Sequence, residues 1–281
     1  MTVQIPAFAI ADVIQAPAWV QILVFCLIWV LLWLPIALPL AIHLQWQPGQ
    51  PLTLPQKLPL VAVLYVIAPF LLWGSAQVEQ VPFSIYGLTW QWALLRSFLI
   101  GAGLGLAGLV IFFGVQVGWG WRHLQVAQRM AWRSALLPTL ALGIWISVTE
   151  ELVFRGFLLN HLQRDYGVLV AAIVSSVLFA LSHLLWEGGK GLPNLPGLCL
   201  MGLVLVLARW ADGGQLGLAC GLHAAWVWGM TSLDTVPLLP LTDKGPKWLT
   251  GGEQPLAGGL SLLLLLITAI TIGWLSAVGM R

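Results

Sequence analysis

Runs of about twenty apolar residues recur along the chain, and they constrain the fold more than any other feature. Such a run is the length that an α-helix needs to cross the hydrocarbon core of a bilayer. Hydrophobic residues make up 59% of the 281 residues and charged residues only 8%. A soluble domain of this composition would lack the polar residues that cover a packed core. The sequence therefore predicts an all-α, polytopic membrane protein.

The apolar runs predict a bundle of eight transmembrane helices. They cover residues 18–43, 57–74, 91–118, 136–163, 167–186, 196–210, 215–233 and 256–279. The third run contains Gly101, Gly103, Gly105 and Gly108. Small residues at this spacing allow two membrane helices to approach closely, so we expect these glycines to face another helix.

We expect one integral membrane domain with three parts. Residues 1–135 form the N-terminal transmembrane helices and an amphipathic loop, residues 136–235 a central helical core, and residues 236–281 a loop and the last helix. The net charge of +2, without a run of Lys or Arg, argues against a nucleic-acid partner. The predicted surroundings are instead the lipid bilayer.

Positive charges in the loops predict the orientation. Arg122, Arg129 and Arg133 lie between the third and fourth runs, and cytoplasmic loops carry an excess of Lys and Arg. Trp121 and Trp132 lie among these arginines, which favours a short amphipathic helix along the lipid headgroups. We therefore expect this loop, and an active-site cavity open toward it, to face the cytoplasm.

Two adjacent glutamates in the middle of the fourth run are the strongest chemical signal. A charge at bilayer depth costs roughly 2.5–3.5 kcal/mol, so Glu150 and Glu151 must lie inside the bundle or against water. Arg155 follows Glu151 by one helical turn and can pair with it. This pair is explained equally well as a helix-locking ion pair and as part of a site. Glu150 points about 100° away around the helix and has no such partner.

Two histidines, His183 and His223, lie inside the fifth and seventh runs. A lone membrane histidine is often an interhelical hydrogen bonder, but two of them together with two glutamates indicate a site. At about 1.5 Å per residue, Glu150 and His183 lie roughly 20 and 24 Å from the loop joining their helices, so they can meet. A glutamate base suits hydrolysis, with imidazoles that either bind a metal or stabilise an oxyanion.

Three motifs in these runs resemble those of the CAAX protease and bacteriocin-processing family, which includes the type II CAAX prenyl endopeptidases. The motifs are Glu150–Glu151–x–x–x–Arg155, Phe179–x–x–x–His183 and Gly221–Leu222–His223, within residues 136–235. The resemblance implies an intramembrane endopeptidase that acts on a peptide or a membrane-anchored, CAAX-type protein, with residues 136–235 as its catalytic core.

By the same resemblance, Glu150 activates water, Glu151 and Arg155 support it, and His183 and His223 complete the site. Zinc held by Glu150, His183 and His223 is implied as one possibility, and metal-independent hydrolysis is the other. The sequence does not choose between them.

The chain departs from the family pattern at Val227, where the family has Asn or Asp four residues after the second histidine. Valine offers no hydrogen-bond donor, and we rank Trp226 and Trp228 ahead of Thr231 as substitutes. The alternative function is a non-catalytic membrane scaffold, or a bacteriocin-immunity-type protein that binds a peptide in the same cavity. A transporter is a weaker alternative, since no paired, broken repeats are visible.

Overall fold

The computed structural model describes residues 12–47, 49–50, 52–125 and 129–279, and its regular structure is helical. The α-helices are α1 (Ala18–His43), α2 (Leu54–Val78), α3 (Trp92–Gly118), α4 (Arg129–Glu151), α5 (Leu159–Asp165), α6 (Val168–Glu187), α7 (Leu195–Ala211), α8 (Gly217–Thr235), α9 (Lys247–Thr250) and α10 (Gly259–Val278). An all-α, multi-pass membrane fold is thus confirmed.

The predicted count of eight spans is not confirmed. Six helical runs in the described ranges are long and apolar enough to cross a membrane, and Val168–Ala211 is one of them. It joins α6 and α7 through the 3-10 segment Gly188–Asn194. The helix α8 is not among the six. It carries His223 and packs against protein, so it does not need a continuous apolar surface toward lipid.

Helix α8 is the buried centre of the bundle. All of its residues from Gly217 to Trp226 are buried. The glycines of α3 let the two helices approach closely, because a Cβ on Gly101 or Gly105 would lie 2.3 or 2.8 Å from an atom of α8. Gly103 faces open space instead. The predicted helix-packing role is confirmed for Gly101 and Gly105, and also for Gly108, where a Cβ would lie 3.0 Å from Leu264 of α10.

Helix α4 leads into α5 through a π-helical segment, Leu152–Leu158, which begins directly after Glu151. A π-helical turn holds more residues than an α-helical one, and such turns are frequent at functional sites. Arg155 lies in this segment and Glu150 one residue before α4 ends. The candidate residues of α4 therefore sit where the helix changes its periodicity.

Helices α1 and α2 form a hairpin that covers one side of the site. The indole N–H groups of Trp29 and Trp33 donate to the carbonyl oxygens of Leu64 and Leu60 at 2.8 and 3.0 Å. The backbone N–H of Ala18, at the start of α1, donates to Asp165 at 2.5 Å, which ties the hairpin to the end of α5. These bonds hold the two helices of the hairpin together and fix α1 against α5.

The predicted amphipathic helix between α3 and α4 is wrong for residues 121–125. This stretch is not helical and instead pairs with the loop after α8, through a β-bridge between Arg122 and Leu241. The hydrogen bonds of that loop satisfy backbone groups that a helix would satisfy internally. Residues 126–128 of this stretch lie outside the described residues.

The fold allows the membrane orientation of the loops on either side of α4 and α5 to be tested. Because the helical run 130–165 crosses the bilayer once, reporter fusions after Gln125 and after Arg164 should report opposite compartments, with Gln125 cytoplasmic. A fusion after Asp243 should agree with Gln125, since the two loops contact each other. Equal signals after Gln125 and Arg164 would show that the run does not cross the membrane.

Candidate active site

Glu151 lies in a fully buried network. Its Oε1 accepts hydrogen bonds from Nη1 of Arg155 at 2.9 Å and from Nδ1 of His223 at 2.8 Å. Arg155 also donates through Nη2 to the carbonyl of Gly202 at 3.2 Å, and its guanidinium lies 4.3 Å from the centre of the Phe179 ring. The network links α4, the π segment, α6, α7 and α8. It can therefore hold these elements in fixed positions around a site.

Glu150 has a different environment from that of its neighbour. Its side chain is 12% exposed, whereas that of Glu151 is 0% exposed. Its Oε2 lies 3.6 Å from Nε2 of His223, and its Oε1 accepts a hydrogen bond from the hydroxyl of Tyr65. Glu150 lines a cavity of about 530 Å³ between α1, α2, α4 and α6. Of the two glutamates, Glu150 is therefore the one that can meet a substrate or water.

His183 lies where two cavities adjoin. It lines the 530 Å³ cavity together with Glu150, and a second cavity of about 290 Å³ together with His223. Its Nδ1 pairs with the carbonyl of Phe179 at 2.9 Å. Within the described residues no hydrogen bond or ion pair joins His183 directly to Glu150 or His223. The structure thus brings Glu150 and His223 into contact and places His183 on cavity walls shared with each.

The partners of the two histidines determine which ring nitrogen carries the proton. A carbonyl oxygen can only accept, so Nδ1 of His183 donates to Phe179. Glu151 is held by Arg155 as an ionised acceptor, so Nδ1 of His223 donates to it. In the neutral rings, Nε2 of both histidines then presents a lone pair. Partners of this kind fix the ring orientation and tautomer of functional histidines.

Comparison with known families adds independent support. Residues 132–229, about a third of the chain, match the family model described as type II CAAX prenyl endopeptidase Rce1-like. The resemblance to that family is confirmed. The match runs from α4 into α8 and contains all five predicted site residues. No curated protein and no solved structure matches the chain.

The predicted zinc ligands are Glu150, His183 and His223, of which Glu150 and His223 lie 3.6 Å apart. Zinc in catalytic sites is held by three protein ligands, and the Nε2 lone pairs of His183 and His223 have the right chemistry. However, the described residues contain no group of three His, Cys, Asp or Glu side chains placed to hold a metal ion. Zinc dependence remains a prediction, and no catalytic step is assigned to a metal.

The donors considered as substitutes at Val227 differ in their surroundings. Val227, Trp226 and Thr231 line the 290 Å³ cavity with His223. Trp228 does not, and its indole N–H donates to the carbonyl of Leu136 at 3.0 Å. That donor is therefore already used between α8 and α4.

Sequence reasoning missed Tyr65, which lies outside the Rce1-like segment. Its signal is a hydroxyl in the middle of an apolar run, but only the packing of α2 against α4 places it beside Glu150.

A second cluster that the sequence did not reveal lies at the end of the bundle away from the α3–α4 loop. His161 lies within the predicted fourth run, and Arg164 follows just after it. Both pair with Glu79 after α2, at 3.1 and 2.6 Å. Burial raises the pKa of Glu79, but hydrogen bonds from His161, Arg164 and Ser75 outweigh it and lower that pKa to about 2. The cluster ties the hairpin to α5 away from the candidate active site.

Proposed function

We propose that the chain is an intramembrane endopeptidase that hydrolyses a peptide bond in a membrane-associated peptide or CAAX-type protein. The observation that carries this proposal is the pair of adjacent glutamates with opposite environments. Glu150 lines a cavity beside Nε2 of His223, while Glu151 is sealed in an ion pair with Arg155. The match to the type II CAAX prenyl endopeptidases supports peptide hydrolysis.

Glu150 acts as the general base. It takes a proton from water while the water oxygen attacks the peptide carbonyl carbon, and the π electrons move onto the carbonyl oxygen as an oxyanion. Glu150 then gives the proton to the amide nitrogen as the oxyanion collapses and the C–N bond breaks. The proton left on the new carboxyl group passes to solvent or the amine product. Glu151, held by Arg155 and His223, fixes the end of α4 that carries Glu150 through these steps.

The two cavities suit different reactants. The 530 Å³ cavity is lined almost entirely by apolar side chains, among them Phe25, Trp29, Val153, Phe154 and Leu178. We assign it to the apolar, membrane-embedded part of the substrate. The 290 Å³ cavity includes Glu187, Asn194, Thr231 and Asp234 near the helix ends on the side of the α3–α4 loop. Water can reach His183 and His223 from that side.

Purified protein in proteoliposomes is expected to cleave a fluorescence-quenched peptide with a farnesylated CAAX terminus. Cleavage should persist with EDTA or 1,10-phenanthroline, because the three predicted ligands do not form a metal-binding group. Mass spectrometry should show one new C-terminus and one new N-terminus. Loss of turnover with the chelator, restored by zinc, would instead show the metal-dependent reaction, which the family resemblance leaves open.

Val227 favours the alternative, a non-catalytic scaffold that binds a peptide in the same cavities. Loss of one oxyanion donor lowers turnover by about 10²–10³, so a site short of such donors can bind a peptide and hardly cleave it. The same proteoliposomes distinguish the two functions. A scaffold retains the intact peptide, saturably and without products, whereas an endopeptidase releases two fragments.

A further inference from the structure

The hydrolysis proposed above needs a hydrogen-bond donor where the oxyanion forms, next to the water that Glu150 activates. The two histidines do not supply it in their neutral forms. Their Nδ1–H groups donate to Phe179 and Glu151, and their Nε2 atoms present lone pairs. Val227 has no donor at all. The side-chain donor that the family has at position 227 is therefore absent here, and a polar side chain elsewhere in the cavity is a candidate replacement.

The hydroxyl group of Tyr65 contacts Glu150. Tyr65 lines the same 530 Å³ cavity, and its hydroxyl donates to Oε1 of Glu150. The other oxygen of that carboxylate, Oε2, faces His223. The ring of Tyr65 packs edge-on against Trp145 at 6.2 Å. The preceding residue, Leu64, accepts the hydrogen bond from Trp29 that joins α2 to α1. The contact with Trp145 orients the phenol ring, and the bond from Trp29 fixes the backbone of α2 next to it.

We propose that Tyr65 is a further catalytic residue, the oxyanion donor of the endopeptidase reaction. This inference rests on the proposed function. In the resting enzyme the phenol O–H donates to the ionised carboxylate of Glu150. When Glu150 takes the proton from water, it becomes a neutral and weaker acceptor. The oxyanion forms at the same moment on the carbon that the water attacks, and the O–H turns to it.

This exchange needs only a rotation of the phenol hydrogen about its C–O bond. No heavy atom of the enzyme has to move, so the donor is preorganised in the sense that makes such donors effective. When Glu150 passes the proton to the leaving nitrogen, it becomes a carboxylate again and takes the O–H back. The number of protons on Tyr65 does not change during the cycle.

Other polar side chains also line this cavity, and the structure ranks them below Tyr65. The hydroxyl of Ser182 donates to the carbonyl of Phe179 at 2.7 Å. Thr149 and Trp186 line the cavity without a hydrogen bond to Glu150. Because Tyr65 lies outside residues 132–229, the proposal also makes the α1–α2 hairpin part of the catalytic machinery.

The test compares Tyr65→Phe with Tyr86→Phe in the farnesylated-peptide assay. Tyr86 is the matched control, because its buried hydroxyl has no hydrogen-bond partner within the described residues. Loss of one oxyanion donor lowers kcat by about 10²–10³, so we expect that loss for Tyr65→Phe with KM little changed, since the bond forms only in the transition state. Tyr86→Phe should keep wild-type kcat.

A second measurement separates catalysis from a structural role. A phosphinic analogue of the reporter peptide, which mimics the tetrahedral state, should bind Tyr65→Phe more weakly by a factor similar to the loss in kcat. The uncleaved reporter should bind equally well to Glu150→Gln with and without Tyr65→Phe. Equal losses for reporter and analogue would show that Tyr65 only shapes the cavity, and would overturn the proposal.

The remaining variants decide between donors. Thr149→Val, Trp226→Phe and Thr231→Val should each lower kcat far less than Tyr65→Phe does, and Val227→Asn should gain little. Near-wild-type kcat in Tyr65→Phe, or a large loss in one of those three, overturns the role of Tyr65 alone. Wild-type turnover in Glu150→Gln overturns the proposed endopeptidase mechanism itself, so the two failures are distinguishable.

Discussion

Glu150→Gln is expected to abolish cleavage and to leave the protein folded. Glutamine has nearly the same shape and can still contact Tyr65 and His223, but it cannot take a proton from water. General bases contribute typically about 10²–10⁴ in rate, and Glu150 is also the proton donor to the leaving nitrogen. We therefore expect kcat/KM to fall by about 10⁴ or more, the upper end of that range.

The measurement is kcat/KM in proteoliposomes, together with a thermal melt of the detergent-solubilised protein. Glu253→Gln is the matched control, because this glutamate is exposed in the loop before α10. It should change neither quantity. Near-wild-type turnover of Glu150→Gln on the same peptide would rule out Glu150 as the base, and a large drop in melting temperature would show that the carboxylate is structural.

Arg155→Ala is expected to act on stability before it acts on chemistry. The side chain is fully buried, holds Glu151 at 2.9 Å, and lies over the Phe179 ring. Its removal leaves a buried carboxylate with His223 as its remaining hydrogen-bond partner, and breaking a buried pair in this way costs about 3–5 kcal/mol. We expect a much lower abundance in the membrane and a lower melting temperature.

The matched control is Arg164→Ala. Arg164 also pairs with a glutamate, at 2.6 Å from Glu79, but its side chain is 40% exposed. Glu79 is 8% exposed and keeps His161 and Ser75 as partners when Arg164 is removed, so this variant should remain abundant. Replacing both members of the buried pair, Glu151→Leu with Arg155→Met, should recover part of the stability without activity. An Arg155→Ala protein as stable as wild type would contradict the role of the pair.

Much of the fold could be predicted from local patterns, because lipid leaves few choices to a backbone. Each of the eight predicted segments is helical in the structure. The number of independent spans was not predictable in the same way, since α6 and α7 join through a 3-10 segment and α8 is buried by protein. The amphipathic helix predicted after α3 failed because residues 121–125 pair with a loop more than a hundred residues away.

The candidate site shows the same division. Glu150 and Glu151 are adjacent, and Arg155 follows Glu151 by one helical turn. Both relations are local and can be read directly from the sequence. Which glutamate faces a cavity depends on how α2, α6 and α8 pack around α4. The position of His183 between two cavities, and of Tyr65 beside Glu150, depends on helices that are distant along the chain.

The sequence by itself determined an α-helical membrane protein with ionisable groups at bilayer depth, since only helices or closed barrels satisfy backbone hydrogen bonds in lipid and buried charges there are costly. Only the tertiary structure decided that Glu151 is sealed by Arg155 and His223 while Glu150 meets Tyr65 at a cavity wall. The physical reason is that exposure and hydrogen bonding of a membrane side chain are set by neighbouring helices, whose arrangement no local pattern encodes.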